Sequence, residues 1–287
     1  MDKPPVLRLA PSPNGYLHLG HAYSALLNDE LARRTGGRLL LRIEDIDPAR
    51  SRPEYVAQVL DDLAWLGVRW EAPVRRQSEH FSDYRAAADK LAARGLLYPC
   101  FASRAEIEVA AGASAATDPD GAPLYPGIWR GADPAEIARR KANGEAFALR
   151  LDMARVLASL GEPLSHKAFE LDDLSTHGPV SATPARWGDA VIVRKETPTS
   201  YHLSVVHDDA LQGVTHVVRG ADLTAATDLH RLLQALLGLP PPAYHHHRLI
   251  AGPGGRKLSK SLGDTSLAQL RREGATPDDI RRILELV

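Results

Sequence analysis

Apolar residues recur along the chain with two different periods. Val6-Leu7-Arg8-Leu9-Ala10 is a short apolar run stopped by Pro11 and Pro13, and it predicts a first strand. From Leu19-Gly20 the spacing becomes helical, with Tyr23, Leu26, Leu27 and Leu31 facing inward, Asp29, Glu30, Arg33 and Arg34 facing outward, and a stop at Gly36-Gly37. Leu39-Leu40-Leu41-Arg42-Ile43 is almost continuously apolar, as in a strand covered on both faces. Ser51-Arg52-Pro53-Glu54 has the spacing of a capping box and predicts a second helix, carrying Val56, Val59, Leu60, Leu63 and Leu66 up to Gly67. Strand, helix, strand, helix is the rhythm of an α/β sheet with crossover helices.

The middle of the chain breaks that rhythm. From about residue 100 to residue 131 it is rich in small residues and reads as loop or poorly ordered insertion. Segments 146–151, 164–171 and 190–193 have strand character, so a smaller α+β subdomain is expected inside the sheet domain. The α/β rhythm resumes with strands at 201–206 and 214–219, then a helix over about 222–237 with Leu229, Leu232, Leu233, Leu236 and Leu237. Two short helices follow, the last opened by Thr276-Pro277-Asp278. The expected division is 1–98 and 190–243 for the two halves of the main domain, 99–189 for the insert and 244–287 for a loop with short helices.

Composition narrows the class of protein. The 287 residues are 44% hydrophobic and 25% charged, with 35 Lys+Arg against 36 Asp+Glu, which describes a globular chain of even charge with no general affinity for nucleic acid. No run approaches the roughly 20 apolar residues of a membrane helix, and Met1-Asp2-Lys3-Pro4-Pro5 does not open a signal peptide, so a cytoplasmic location without membrane partners is expected. The single cysteine, Cys100, excludes an internal disulfide framework and a Cys-pair zinc site.

Two stretches carry candidate chemistry. In Pro11-Ser12-Pro13-Asn14-Gly15-Tyr16-Leu17-His18-Leu19-Gly20-His21 two imidazoles bracket a glycine where the first strand gives way to a helix N-terminus. Backbone N–H groups, the helix dipole and both rings can meet a phosphate there, and Gly20 lets a nucleotide approach closely. Taken alone, the pair reads equally well as satisfied surface groups. In Gly252-Pro253-Gly254-Gly255-Arg256-Lys257-Leu258-Ser259-Lys260-Ser261 a glycine-rich loop carries three cations suited to a triphosphate, without being a Walker A loop. Residues 244–260 hold no acid, which makes a locally positive stretch. Asp208-Asp209 reads as a helix start at a strand end or as a loop or metal contact. His245-His246-His247, alternating in an extended segment, cannot all serve one metal.

Together the two stretches resemble the paired signatures of class I aminoacyl-tRNA synthetases. Arg8-Leu9-Ala10-Pro11-Ser12-Pro13-Asn14-Gly15, Leu41-Arg42-Ile43-Glu44-Asp45-Ile46-Asp47 and Val217-Val218-Arg219-Gly220-Ala221-Asp222-Leu223 are similar to the glutamyl branch. Only 26 residues follow Ser261, where full glutamyl enzymes continue into an anticodon-binding region, so the chain most resembles the truncated glutamyl-Q tRNA(Asp) synthetase family. That resemblance implies a Rossmann-like catalytic domain with an inserted subdomain, ATP with Mg²⁺, L-glutamate, and transfer to queuosine in the anticodon of tRNA(Asp) by a monomeric enzyme. It assigns Arg8, Leu9, Ala10, Pro11, Ser12, Glu44, Tyr201 and Arg219 to glutamate, and His18, Gly20, His21, Lys257, Ser259 and Lys260 to ATP, with His18, His21, Lys257 and Lys260 catalytic. The residues fit that substrate: guanidiniums for two carboxylates and an acid for an ammonium, all at strand ends where open α/β sheets bind ligands. The family's Cys-x-Cys zinc pattern is reduced here to Cys100-Phe101-Ala102 with Tyr125, so no zinc is expected. Charging of tRNA(Glu) by a shortened enzyme, a different nucleotidyltransferase and a silent RNA-binding paralogue are the competing readings.

Overall fold

A computed structural model describes residues 3–113, 115–250 and 265–286. β1 (Val6–Leu9), α1 (Leu19–Thr35), β2 (Arg38–Ile43), α2 (Pro53–Trp65), β3 (Glu71–Arg76) and α3 (Phe81–Ala93) follow in order. β1, β2 and β3 pair in parallel, with Leu7 opposite Leu39 and Leu9 opposite Leu41. Parallel neighbours need crossovers, and α1 and α2 provide them. Ala22, Leu26 and Leu31 of α1 and Val59 and Leu63 of α2 share one core with Leu7, Leu41 and Ile43.

Two local expectations at this end are corrected. Asp29 faces inward: it is buried, and its Oδ1 accepts the Arg69 N–H at 3.1 Å while Oδ2 accepts from Arg33 Nε at 3.3 Å. The Ser51 capping box does not form. The helix starts one residue later than that box requires, with Arg52 at the N-cap making no capping bond and Pro53 in its first turn.

β4 (Leu97–Cys100), β5 (Ala148–Leu151) and β8 (Val191–Val193) make an antiparallel sheet in the order β4-β5-β8. Part of the stretch from 100 to 131, expected as loop, forms α4 (Arg104–Ala111), where Ser103 and Glu106 build a reciprocal capping box; α5 (Pro134–Ala142) follows beyond it. Alanine made this segment look like small-residue loop, yet it is the best helix former. After α6 (Met153–Ala158), β6 (Ser165–Ala168) pairs with the short β7 (Val180–Ser181).

The largest departure is at 201–206, which forms the start of α7 (Tyr201–Leu211) and no strand. Ser200 caps it, and Leu203, Ser204, Val205, Val206, Asp208 and Asp209 are all buried, so no polar face marks the helical period. β9 (His216–Gly220), α8 (Ala226–Leu237) and β10 (Ala243–His247) follow, and β10 lies between β6 and β9, parallel to both. This sheet therefore draws strands from both sides of the expected boundary at residue 189. Thr215, leading into β9, donates its N–H to Val6 O at 2.9 Å and so joins the sheet to β1. α9 (Leu267–Arg272) and α10 (Pro277–Ile283) return Leu267 and Ile280 to the β1–β2 core. No helix among the described residues is long and apolar enough to cross a membrane.

Candidate active site

A cavity of about 810 Å³ opens at the C-terminal ends of β1, β2 and β9. Its wall gathers Arg8, Leu9, Ala10, Pro11 and Ser12 from β1 and the following turn, His18, Gly20 and His21 from the start of α1, Glu44 after β2, Tyr201 from α7 and Arg219 from β9. Lys257, Ser259 and Lys260 lie outside the described residues.

The two histidines form the cap of α1. His18 Nδ1 accepts the Gly20 N–H at 3.1 Å, and His21 Nδ1 accepts the His18 N–H at 3.2 Å. With each Nδ1 accepting, the proton of each neutral ring sits on Nε2, the tautomer that donates to a phosphate oxygen. The N–H of Gly20 is used in this cap. A Cβ at Gly20 would also come 3.1 Å from His18 Cε1, so that the ring would have to shift.

Behind the cavity lies a buried ion network that the sequence reading missed. Arg42, fully buried, donates from Nη2 to Glu44 Oε1 at 3.1 Å and from Nη1 to Asp209 Oδ1 at 2.8 Å. Arg8 Nε reaches the same Asp209 oxygen at 3.2 Å, and its terminal nitrogens have no partner among the described residues. Asp208, expected at a strand end, is instead enclosed on α7 and accepts from Arg75 at 2.9 Å, Gln77 at 2.9 Å and Tyr84 at 2.8 Å. Burial works against its charge, but contacts with His207, Arg42, Gln77 and Tyr84 hold its carboxyl below the usual range. Burial pushes Glu44 upward, against the pull of Arg42 and then Arg8. The Tyr201 phenol is driven by burial to about 12 and stays protonated. Arg42 was visible in the sequence as the charge inside the apolar run Leu39–Ile43.

Arg219 differs from these arginines. It is 4% exposed, and its donors go to Thr227 Oγ1 at 2.7 Å, Leu223 O at 3.2 Å, His230 Nδ1 at 3.2 Å and His246 Nε2 at 3.3 Å. Burial first and the Arg219 charge second push His246 down to about 3 and His230 well below its ordinary value, so both rings are neutral. Among the described residues no carboxylate pairs with Arg219. A buried guanidinium surrounded by neutral acceptors is a site for an anion.

The remaining candidates have other surroundings. His245 Nδ1 lies 3.0 Å from Phe169 O, and His247 Nδ1 lies 2.8 Å from Arg248 O, so with His246 on Arg219 the three rings face three different partners. Cys100 Sγ lies 3.3 Å from the Tyr125 hydroxyl, which also accepts the Trp129 N–H at 3.0 Å, in a cluster with Ala102. One thiol, a phenol and apolar neighbours are not a tetrahedral zinc donor set.

A strand–turn–helix histidine pair facing a cavity at the C-terminal edge of a parallel sheet suits the catalytic domain of a class I synthetase. Residues 6–287 match the family described as tRNA synthetases class I (E and Q), catalytic domain, and the chain belongs to this family of ligases. Within it, the chain is 48% identical to the glutamyl-Q tRNA(Asp) synthetase of Rhodobacter capsulatus, over 98% of this chain and 100% of that protein. It is 42% identical to the glutamyl-Q tRNA(Asp) synthetase of Symbiobacterium thermophilum, over 95% of this chain and 83% of the relative. The crystal structure of a glutamate-tRNA synthetase from Elizabethkingia anophelis superposes with a TM-score of 0.77 at 25% identity. That match covers 99% of this chain, which spans 62% of the solved one.

Proposed function

We propose that this cavity activates L-glutamate with ATP, without tRNA, and transfers the glutamyl group to queuosine in the anticodon of tRNA(Asp). The observation that carries the reading is Arg219, a buried cation with only neutral partners among the described residues, in one cavity with Glu44 and the His18–His21 cap. Arg219 and the terminal nitrogens of Arg8 receive the two carboxylates of glutamate, and Glu44 receives its ammonium. The α-carboxylate attacks the α-phosphorus of ATP, the bond to the β-phosphate oxygen breaks, and pyrophosphate leaves. The Nε2–H groups of His18 and His21 stabilise the charge that develops on the α-phosphate, and Lys257 and Lys260 act on the leaving pyrophosphate, with Ser259 contributing to ATP binding. Mg²⁺ accompanies ATP through phosphate oxygens. A hydroxyl of the modified nucleoside then attacks the activated carbonyl, loses its proton, and AMP leaves. In this reading the enzyme is a cytoplasmic monomer.

The test is glutamate-dependent ATP–pyrophosphate exchange without tRNA, followed by transfer of labelled glutamate to tRNA(Asp) with and without queuosine, and to tRNA(Glu). Exchange together with queuosine-dependent transfer supports the proposal. Absence of exchange overturns tRNA-independent activation, and transfer to tRNA(Glu) alone makes the enzyme a conventional charging synthetase.

A further inference from the structure

A second cavity, of about 370 Å³, shares the wall residue Tyr201 with the first. Trp187 and His202 form an aromatic part of its lining, their rings edge to face with centroids 4.9 Å apart. Glu108 of α4 and Arg194 after β8 also line it, both exposed and neither in an ion pair among the described residues. Arg150 adds a guanidinium 3.9 Å from the centre of the Tyr125 ring, with an Nε that is buried and has no acceptor among the described residues.

The two cavities are joined by a hydrogen-bond chain whose direction is fixed. A guanidinium only donates, so His230 Nδ1, 3.2 Å from Arg219 Nη1, accepts. The His230 proton is then on Nε2, 3.2 Å from His202 Nδ1, which accepts in turn. His202 is left with its proton on Nε2, on the wall of the second cavity, with no acceptor for it among the described residues.

We propose that the second cavity binds the base of the acceptor nucleoside, a guanine-type purine, while its reactive hydroxyl reaches past Tyr201 into the first. The inference rests on the proposed transfer to a nucleoside and adds where the base sits and how it is read. A guanine edge offers N1–H and N2–H donors beside an O6 acceptor. Glu108 accepts from the first two, and Arg194 and His202 Nε2–H supply donors for O6. Trp187 and His202 give the base an aromatic wall. Queuosine keeps this guanine edge. The His202–His230 chain links the base to Arg219, the cation assigned to glutamate.

Calorimetric titration of the full chain with guanosine 5′-monophosphate and uridine 5′-monophosphate tests this directly. The guanine nucleotide binds, and the uridine nucleotide binds at least about tenfold more weakly. Glu108→Gln and Arg194→Ala each weaken guanine binding by about tenfold, the effect of one hydrogen bond to a charged group, while thermal melting verifies that both variants are folded. The proposal is overturned if the wild type does not bind the guanine nucleotide, if uridine binds as tightly, or if both variants bind like the wild type. Guanine binding lost in these variants, with no transfer to any tRNA by the wild type, leaves the cavity assignment standing and overturns the proposed acceptor.

Discussion

Arg42→Met removes a buried cation of similar length from between Glu44, Asp208 and Asp209. Before the change, Arg8, Arg42 and Arg75 balance these three carboxylates. Afterwards two guanidiniums face three buried acids. Removing one partner of a buried ion pair costs about 3–5 kcal/mol, a large part of the roughly 5–15 kcal/mol that holds a typical domain folded. Arg42→Lys keeps the charge but cannot span Glu44, Asp209 and Gln212 as the planar guanidinium does. Its expected loss is about 1.5–3 kcal/mol, the value of a charge-assisted hydrogen bond.

The same substitution changes the chemistry of the cavity. Arg42 is the foremost group pulling the Glu44 carboxyl down against its burial, so its loss lifts Glu44 further. The carboxylate assigned to the glutamate ammonium then protonates at higher pH, KM for glutamate rises, and the acid limb of the pH–rate profile moves upward in pH. Urea unfolding followed by circular dichroism gives the stability, and pyrophosphate exchange gives the KM. If Arg42→Met keeps stability within about 1 kcal/mol of wild type and leaves the glutamate KM within about twofold, the network argument is refuted.

Three further outcomes separate structure from chemistry. His18→Asn retains an oxygen able to cap α1, so stability changes by less than about 1 kcal/mol, whereas exchange falls about 10²–10³-fold with the loss of a phosphate donor. Gly20→Ala puts a methyl 3.1 Å from His18 Cε1, and exchange should fall by about tenfold or more in a protein that melts close to wild type; unchanged exchange disproves the crowding argument. Asp62, fully buried in α2, accepts from Gln58 at 2.8 Å, while its Oδ2 has no partner among the described residues, and burial raises its carboxyl from 3.8 to about 6. Between those values the folded state binds more protons than the unfolded one, so this group's contribution to stability declines as the pH rises through the window. Asp62→Asn should therefore gain on wild type from pH 4 to pH 6, by about 3 kcal/mol at most, and hold that gain above it; a pH-independent difference in urea unfolding refutes the assignment.

The opening of the fold was legible because each element there has one environment. β1 and β2 are apolar runs of strand length, and α1 turns one face to the sheet, so period and punctuation agree. α7 was not legible, because a helix buried on nearly every side has no polar stripe to reveal its turn. α4 was hidden by composition, since Ala110-Ala111 reads as loop until the Ser103–Glu106 box is seen to close. In the cavity, the residue types could be read from the motifs, but their pairing could not. Arg42 meets Asp209 across 167 positions, and no local pattern encodes that partner. The neutrality of His230 and His246 follows from burial beside Arg219, which is likewise a property of the folded chain alone.

That pairing makes the two cavity arginines unequal. Arg8 is held through Nε by Asp209, which Arg42 also holds, so its charge is partly compensated and, in the proposed reading, its terminal N–H groups are offered in a fixed direction. Arg219 has no paired acid among the described residues, and four neutral acceptors fix its plane. An anion entering the cavity gains most of its Coulombic stabilisation from Arg219 and most of its directional constraint from Arg8. In the proposed reading glutamate, with two carboxylates and one ammonium, suits this division, with Glu44 anchored on Arg42. Among the described residues no acid is paired with Arg219, and in the proposed reading the substrate carboxylate is the anion that meets it.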